Sequence, residues 1–317
     1  MLDVRRLRLL RELSYRGTIA AVAQALSYTP SAVSQQLNSL EREAGLPLLE
    51  RTGRGVTLTL AGRRLVVHAE AVLERLEQAA AELVGLRTDP TGPVRIGAFP
   101  TAIRALLPPV LTTLADRHPG LEPLISEIDP AGVAHALRAG ELDVALLHEY
   151  DFVPTPTEPG LSSEPLLTEP MYLASLVTGE ESPQAPSTIG RWRDASWITA
   201  TSETLCHAMT IRACQAAGFT PRIRHQVDEF ATVLLLVAAG QGVAIVPHLG
   251  IADPPPNVVL AQLPIERRTI VAYRRGAAGH PAVEAVAAAL RVSVLPELGR
   301  PKRDDGVSAS SSRPSTR

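Results

Sequence analysis

Ser31, Ser34, Gln35 and Asn38 fall on one side of a helix at about 100° per residue, while Val33, Leu37, Leu40 and Ala44 fall on the other. The second set packs, and the first is left for chemistry. Short hydroxyls and side-chain amides hydrogen-bond base edges and phosphates in a DNA major groove. Thr29 as N-cap and Pro30 at the first helical position open this helix. With them the candidate DNA contacts are Thr29, Pro30, Ser31, Ser34, Gln35 and Asn38. A basic turn follows, since residues 48–59 read as two short extended runs around a Gly-containing turn with Arg51 and Arg54 near its tip. Such a wing holds phosphates or enters a minor groove, and both arginines join the candidate set.

Several elements must position these residues. A first helix is expected from Asp3 as N-cap to Gly17, with Leu2 and Leu7 placed as a hydrophobic staple. A second spans Thr18 to Leu26, buries Ile19, Val22 and Leu26, and carries four alanines that admit a neighbouring helix; Ser27-Tyr28-Thr29 is the turn. A helix pair with one polar face is often only a surface hairpin, and the wing tips the balance towards nucleic acid. Charge agrees. Residues 1–64 hold ten basic and five acidic groups, net +5, whereas the other 253 hold 21 and 28, net −7. Such asymmetry points to a nucleic-acid surface at one end only.

Thr29-Pro-Ser-Ala-Val-Ser-Gln-Gln-Leu37, Leu40-Glu41, Gly45-Leu-Pro-Leu-Leu-Glu-Arg-Thr52 and Leu58-Thr-Leu-Ala-Gly62 together resemble the winged helix-turn-helix of LysR-type transcriptional regulators. The motif covers about the first fifth of the chain. One departure concerns the operator: many members carry a basic residue directly after the serine matching Ser34, and here Gln35 stands there. The resemblance implies an α/β protein with an N-terminal all-α winged helix-turn-helix, a linker helix and a two-lobed effector domain similar to periplasmic binding proteins. It also implies a sequence-specific regulator that answers to a small-molecule effector held between the lobes, assembles as a homodimer and homotetramer, and has RNA polymerase among its partners. An effector-independent architectural DNA-binding protein and a cysteine-based redox sensor are the alternatives.

From Leu60 to Thr88 the chain has no proline. Leu65, Ala69, Val72, Leu76, Ala79, Leu83 and Leu86 alternate in steps of four and three, a coiled-coil seam about three heptads long with Thr59 as cap. Homodimer pairing through this helix sets two recognition helices about one DNA turn apart, on a pseudo-palindromic double-stranded operator. The expected domains are therefore 1–59 for DNA binding, 60–88 for linkage and dimerisation, 94–296 for effector binding, and a disordered tail over 297–317.

After the linker-like Thr88-Asp-Pro-Thr-Gly-Pro93 the pattern turns to strand and helix in alternation, which predicts a parallel sheet covered by helices. Strands are expected at residues 94–99, 121–128, 142–147, 197–199 and 242–247, and helices at 102–117 with a kink at Pro108-Pro109, 132–139, 202–217 and 229–239. Lobe I takes residues 94–160 and 266–296, and lobe II takes 161–265. Ligands of open α/β sheets sit beyond the carboxyl ends of strands, at helix N-termini. Thr101 in the first lobe and Thr199, Thr201 and Ser202 in the second occupy such places, where the family resemblance implies effector-holding hydroxyls; plain helix capping is the competing reading. Asp129 and His148, at strand ends, also have access to a cleft, although surface-loop positions suit them better. Asp228 reads as a helix cap. Helix N-termini favour an anion and the two aspartates a cation, so sequence leaves ligand charge open.

Cys206 and Cys214 would lie eight residues apart on one helix, about 12 Å along its axis and too far for a disulfide. The resemblance extends to peroxide-sensing members with a cysteine pair in this region, but here His207 follows Cys206 instead of preceding it, and buried or incidental thiols are the expectation. No cofactor or metal is expected beyond the effector. There is no Gly-x-Ser-x-Gly elbow, phosphate loop or histidine pair at metal spacing, and Gly240-Gln-Gly-Val243 is too little for a dinucleotide fingerprint, so an enzyme is not expected. Two cysteines, no signal peptide and no membrane-spanning apolar run suit a cytoplasmic location.

Overall fold

The computed structural model describes residues 1–53, 55–86, 89–154, 158–177 and 189–294, with the side chains of Arg51 and Thr52 excepted. Arg54, Thr88 and the tail expected at 297–317 lie outside the described residues.

The N-terminal unit is built from α1 (Val4–Arg16), α2 (Ile19–Ala25), α3 (Pro30–Ala44) and the antiparallel pair β1 (Leu49–Thr52) and β2 (Gly55–Leu58). Its starts and stops are those written in the sequence. Asp3 caps α1 through Arg5 N and Arg6 N, Gly17 ends that helix at φ 72°, and Thr18 and Thr29 cap α2 and α3. Leu10, Val22, Val33, Leu37 and Leu40 close the core, each worth roughly 1.5–3 kcal/mol in removed apolar surface. Glu12 is buried among them, 1 % exposed, and is held by Arg11 and by Arg16 one turn on.

α4 (Leu60–Gly85) starts at its Thr59 cap and lies against the wing so closely that a Cβ on Gly62 would stand 2.2 Å from the Leu48 carbonyl oxygen. Its expected seam divides in two. Leu65 and Ala69 pack into the N-terminal core of their own chain, which takes them out of the expected dimer face. The N-terminal core needed an apolar wall, and this first part of α4 supplies it. Val72, Leu76, Ala79, Leu83 and Leu86 are exposed, and the last two are 69 % and 81 % exposed.

The effector domain begins with β3 (Gly92–Ala98), followed by α5 (Pro100–Ala105), α6 (Leu107–Arg117), β4 (Leu121–Glu127), α7 (Pro130–Ala139) and β5 (Val144–Tyr150). The expected single helix over 102–117 is broken at Leu106, because Pro108 and Pro109 are accommodated in the first turn of a new helix where N–H groups have no intrahelical partner. β6 (Leu161–Leu176), β7 (Ser196–Thr199), α8 (Leu205–Ala216), β8 (Arg222–Gln226), α9 (Phe230–Ala238), β9 (Ala244–Pro247), β10 (Val258–Arg274) and α10 (Pro281–Ser293) complete it.

The sheet is mixed. β3 runs parallel to β4 and β5, but the six-stranded order β4-β3-β5-β10-β6-β9 has β10 antiparallel to β5 and to β6, and β6 antiparallel to β9. The expected parallel sheet is therefore corrected to a mixed one, in which β6 and β10 are long strands that run through both lobes and tie them together. β6 carries two prolines within its length. Pro165 and Pro170 are tolerated because each lies beside a register irregularity of the β6–β10 ladder. Lobe II adds the parallel pair β7–β8, bridged to the main sheet between Trp197 and Val243.

Candidate functional site

Two surfaces gather the candidate residues. On α3, Ser31, Gln35 and Asn38 are exposed, Ser34 is half-buried, and Val33, Leu37 and Leu40 are buried beneath them. Thr29 and Pro30 are exposed at its start, and the Thr29 hydroxyl accepts from Ala32 N and lies 3.1 Å from Ser31 Oγ. Gln36 is turned inward to accept from Arg6 Nε, and Arg42 donates to Ser39 Oγ. The backbone of the wing places Arg51 opposite Val56 on β1.

The second surface is a cavity of about 260 Å³ at the crossing of the two lobes. Lobe I contributes Phe99, Thr101, Glu127, Asp129, His148 and Tyr150, and lobe II contributes Ala200, Thr204, Cys206, Asp228 and Phe230, with Arg267 of β10 between them. Arg267 and Glu169 face each other across the β6–β10 ladder and are 1 % and 0 % exposed. Arg267 Nε donates to Glu169 Oε1 at 2.7 Å, Leu249 N donates to Glu169 Oε2 at 2.6 Å, and Arg267 Nη2 donates to Thr101 Oγ1 at 3.0 Å. Burial alone would lower the Arg267 pKa, but the Glu169 carboxylate outweighs it and the guanidinium stays charged. The same burial, with Arg267 nearby, pushes His148 down to about 3, so its imidazole is neutral. The His148 ring stacks edge-on against Phe99 and Tyr150, and its Nδ1 has no hydrogen-bond partner among the described residues. The Tyr150 hydroxyl, buried beside Cys206 and Arg267, also lacks a well-aligned partner.

Thr101 is thus in the cleft, as its place after the first strand suggested. Asp129, weighed between cleft and surface loop, lines the cavity and also caps α7 through Ala131 N. The lobe II expectation is displaced. Thr199 is buried, donates to Ala200 O and lies 3.3 Å from His207 Nδ1. The Thr201 amide and hydroxyl both donate to Asp228, and Ser202 is exposed in the turn beyond. The reason is a helix that opens three residues late, at Leu205 with Thr204 as cap, so that Thr204 and Cys206 take the positions given to Thr201 and Ser202. Asp228, read as a cap, instead holds Thr201, and Glu229 caps α9 through Ala231 N and Thr232 N. His148 lines the cavity and is not a surface position, and Cys206 lines it too. Arg267, Glu169, Tyr150 and Phe99 were not among the expected site residues, although an Arg inside an apolar strand pattern and a matching Glu in another were a usable signal.

Cys206 and Cys214 are both on α8 as unpaired thiols. Burial pushes both up, Cys214 to about 12.

Helix-turn-helix, wing, long linker helix and two-lobed α/β domain define a DNA-binding transcriptional regulator with a ligand-binding module. The family model for the bacterial regulatory helix-turn-helix protein of the lysR family matches residues 4–63, and that for the LysR substrate binding domain matches residues 87–293. The chain belongs to the LysR family of transcriptional regulators. It is 27% identical over 267 residues to the transcriptional dual regulator GltC of Bacillus subtilis, covering 84% of this chain and 87% of that one. It is 30% identical over 285 residues to a probable hydrogen peroxide-inducible genes activator of Streptomyces viridosporus, covering 85% and 87%. Full-length CbnR, solved in complex with its target DNA, shares the fold at a TM-score of 0.53 and 22% identity, covering 92% of this chain and 99% of that one.

Proposed function

We propose that this regulator reads its operator through the exposed face of α3, with Ser31, Ser34, Gln35 and Asn38 toward base edges, Thr29 and Pro30 at the backbone, and Arg51 and Arg54 of the wing on phosphates. The observation that carries this reading is the division of α3 into a fully buried apolar side and an outward side of hydroxyls and amides. CbnR, of the same fold, is bound to target DNA in its solved complex. Val72, Leu76, Ala79, Leu83 and Leu86 form the homodimer seam, and dimers associate further as a tetramer that engages RNA polymerase. The small-molecule effector occupies the cleft against Thr101, Asp129 and Arg267, and its binding changes how the two lobes close on β6 and β10.

Thiol chemistry is the second reading, supported by Cys206 in the cleft and by the peroxide-inducible relative from Streptomyces. The raised thiols and the spacing along α8 weigh against it.

Footprinting on the intergenic DNA upstream of the gene, at fixed salt with excess random competitor, tests the first reading. A protected pseudo-palindrome is the expected result. Protection no better than on random DNA at every salt concentration would refute it.

A further inference from the structure

The cleft changes character from its inner end to its mouth. At the inner end Thr101 Oγ1 accepts from Arg267, and its own proton finds no acceptor among the described residues. The Tyr150 hydroxyl, 2 % exposed and without a well-aligned partner, lines the same space. Two O–H donors backed by a guanidinium call for an acceptor oxygen on the ligand, since buried polar groups are costly when unanswered. Glu169 already neutralises Arg267, so this end carries no net charge of its own.

The mouth is acidic. Glu127, Asp129 and Asp228 line it, and Arg267 is the cavity's sole cationic side chain among the described residues. The Glu127 carboxylate has no hydrogen bond or ion pair among the described residues. Of the helix N-termini at the cavity, three are taken, since Asp129 caps α7, Thr204 caps α8 and Glu229 caps α9, while that of the short α5 at the inner end has no side-chain cap. A bare anion would therefore meet three carboxylates on entry, and a bare cation would leave both inner hydroxyls unanswered. The volume of about 260 Å³ matches roughly nine waters, room for a metabolite of about ten heavy atoms.

We propose that the effector is a small zwitterion, an amino acid with free ammonium and carboxylate groups. Its carboxylate lies inward against Thr101, Tyr150 and Arg267, and its ammonium lies at the mouth among Glu127, Asp129 and Asp228. This rests on the effector-cleft reading given under Proposed function.

The test is calorimetric titration and thermal melting of the full-length protein with the proteinogenic L-amino acids and short ω-amino acids, and with the N-acetyl and methyl-ester derivatives of any that bind. At least one amino acid is expected to bind saturably, with both derivatives at least tenfold weaker. Glu127→Gln is expected to weaken the amino acid five- to tenfold and leave its N-acetyl derivative unchanged; Tyr150→Phe should weaken the amino acid and leave its ester unchanged. The Glu127 carboxylate has no partner and the Tyr150 hydroxyl no well-aligned one, so both variants should melt close to the parent. Derivatives that bind as tightly as the amino acid, or no binding by any amino acid, would overturn the proposal. Titration with malate and benzoate separates the failures. Their binding, lost in Thr101→Val while the amino acids stay silent, would remove the zwitterion and keep the cleft. Binding of an amino acid that Thr101→Val, Tyr150→Phe and Glu127→Gln all leave unchanged would move the ligand elsewhere and remove both.

Discussion

Arg267 is the residue on which the cleft depends, because a fully buried guanidinium is tolerable only while Glu169 answers it across the sheet. Removing that carboxylate leaves an uncompensated charge between the lobes. Glu169→Ala should cost about 3–5 kcal/mol in urea-induced unfolding; an unchanged midpoint would mean that the pair is not buried in solution. His148 makes a second prediction. Its folded pKa lies far below the 6.5 of an unconstrained imidazole, so below pH 6.5 the unfolded chain takes up a proton that the native chain refuses. Stability contributed by the neutral ring is complete above pH 6.5 and is lost as pH falls towards 3, by at most about 1.4 kcal/mol per unit. Thermal melts of His148→Gln between pH 6.5 and 5 should show a shallower slope than the parent, and parallel slopes would refute the assignment.

At the scale of elements, α4 does two jobs with one stripe of apolar residues. Its first turns complete the N-terminal core through Leu65 and Ala69, and the remainder is exposed, where the proposed homodimer seam lies. Leu76→Asp and Leu83→Asp should leave the chain folded and shift it to monomer in analytical ultracentrifugation, since neither side chain is buried within its own chain. A dimer of unaltered affinity would move the interface away from this stripe. Gly62 is constrained by the approach of α4 to the wing. Gly62→Ala would drive a methyl group into the Leu48 carbonyl, and the backbone shift needed should cost about 1–3 kcal/mol in thermal unfolding.

The whole molecule is electrically divided, with net +5 on its first 64 residues and −7 on the rest. DNA affinity should therefore fall steeply with salt, and Arg54→Ala should weaken binding to specific and random DNA alike while reducing the log–log salt slope by about one. A loss confined to the specific site would instead make Arg54 a base reader. The N-terminal unit and effector domain also touch within one chain. The Arg138 guanidinium of α7 stacks 4.2 Å from the Tyr15 ring, and Arg16 Nη1 lies 2.6 Å from His135 Nε2. Since Asp129 at the other end of α7 lines the cleft, one helix joins the cleft to the N-terminal unit.

The sequence by itself determined the N-terminal half of this account, because helix caps, 3.6-residue periodicity and a tight turn are local properties that neighbouring residues settle. Asp3, Thr18, Thr29, Thr59 and Gly17 do in the fold what their types and spacing required. Thr101 was legible for the same reason, sitting where a strand meets its helix. The rest of the cleft was decided by tertiary structure. Arg267 and Glu169 are 98 residues apart and become partners only through the long-range register of two strands that cross both lobes. Prolines in β6 obscured that crossing, and a helix start three residues later than its hydroxyl cluster suggested exchanged Thr201 and Ser202 for Thr204 and Cys206. Likewise, periodicity could mark Leu65 to Leu86 as one seam. Only packing could show that its first two members, Leu65 and Ala69, were already claimed by the core beside them.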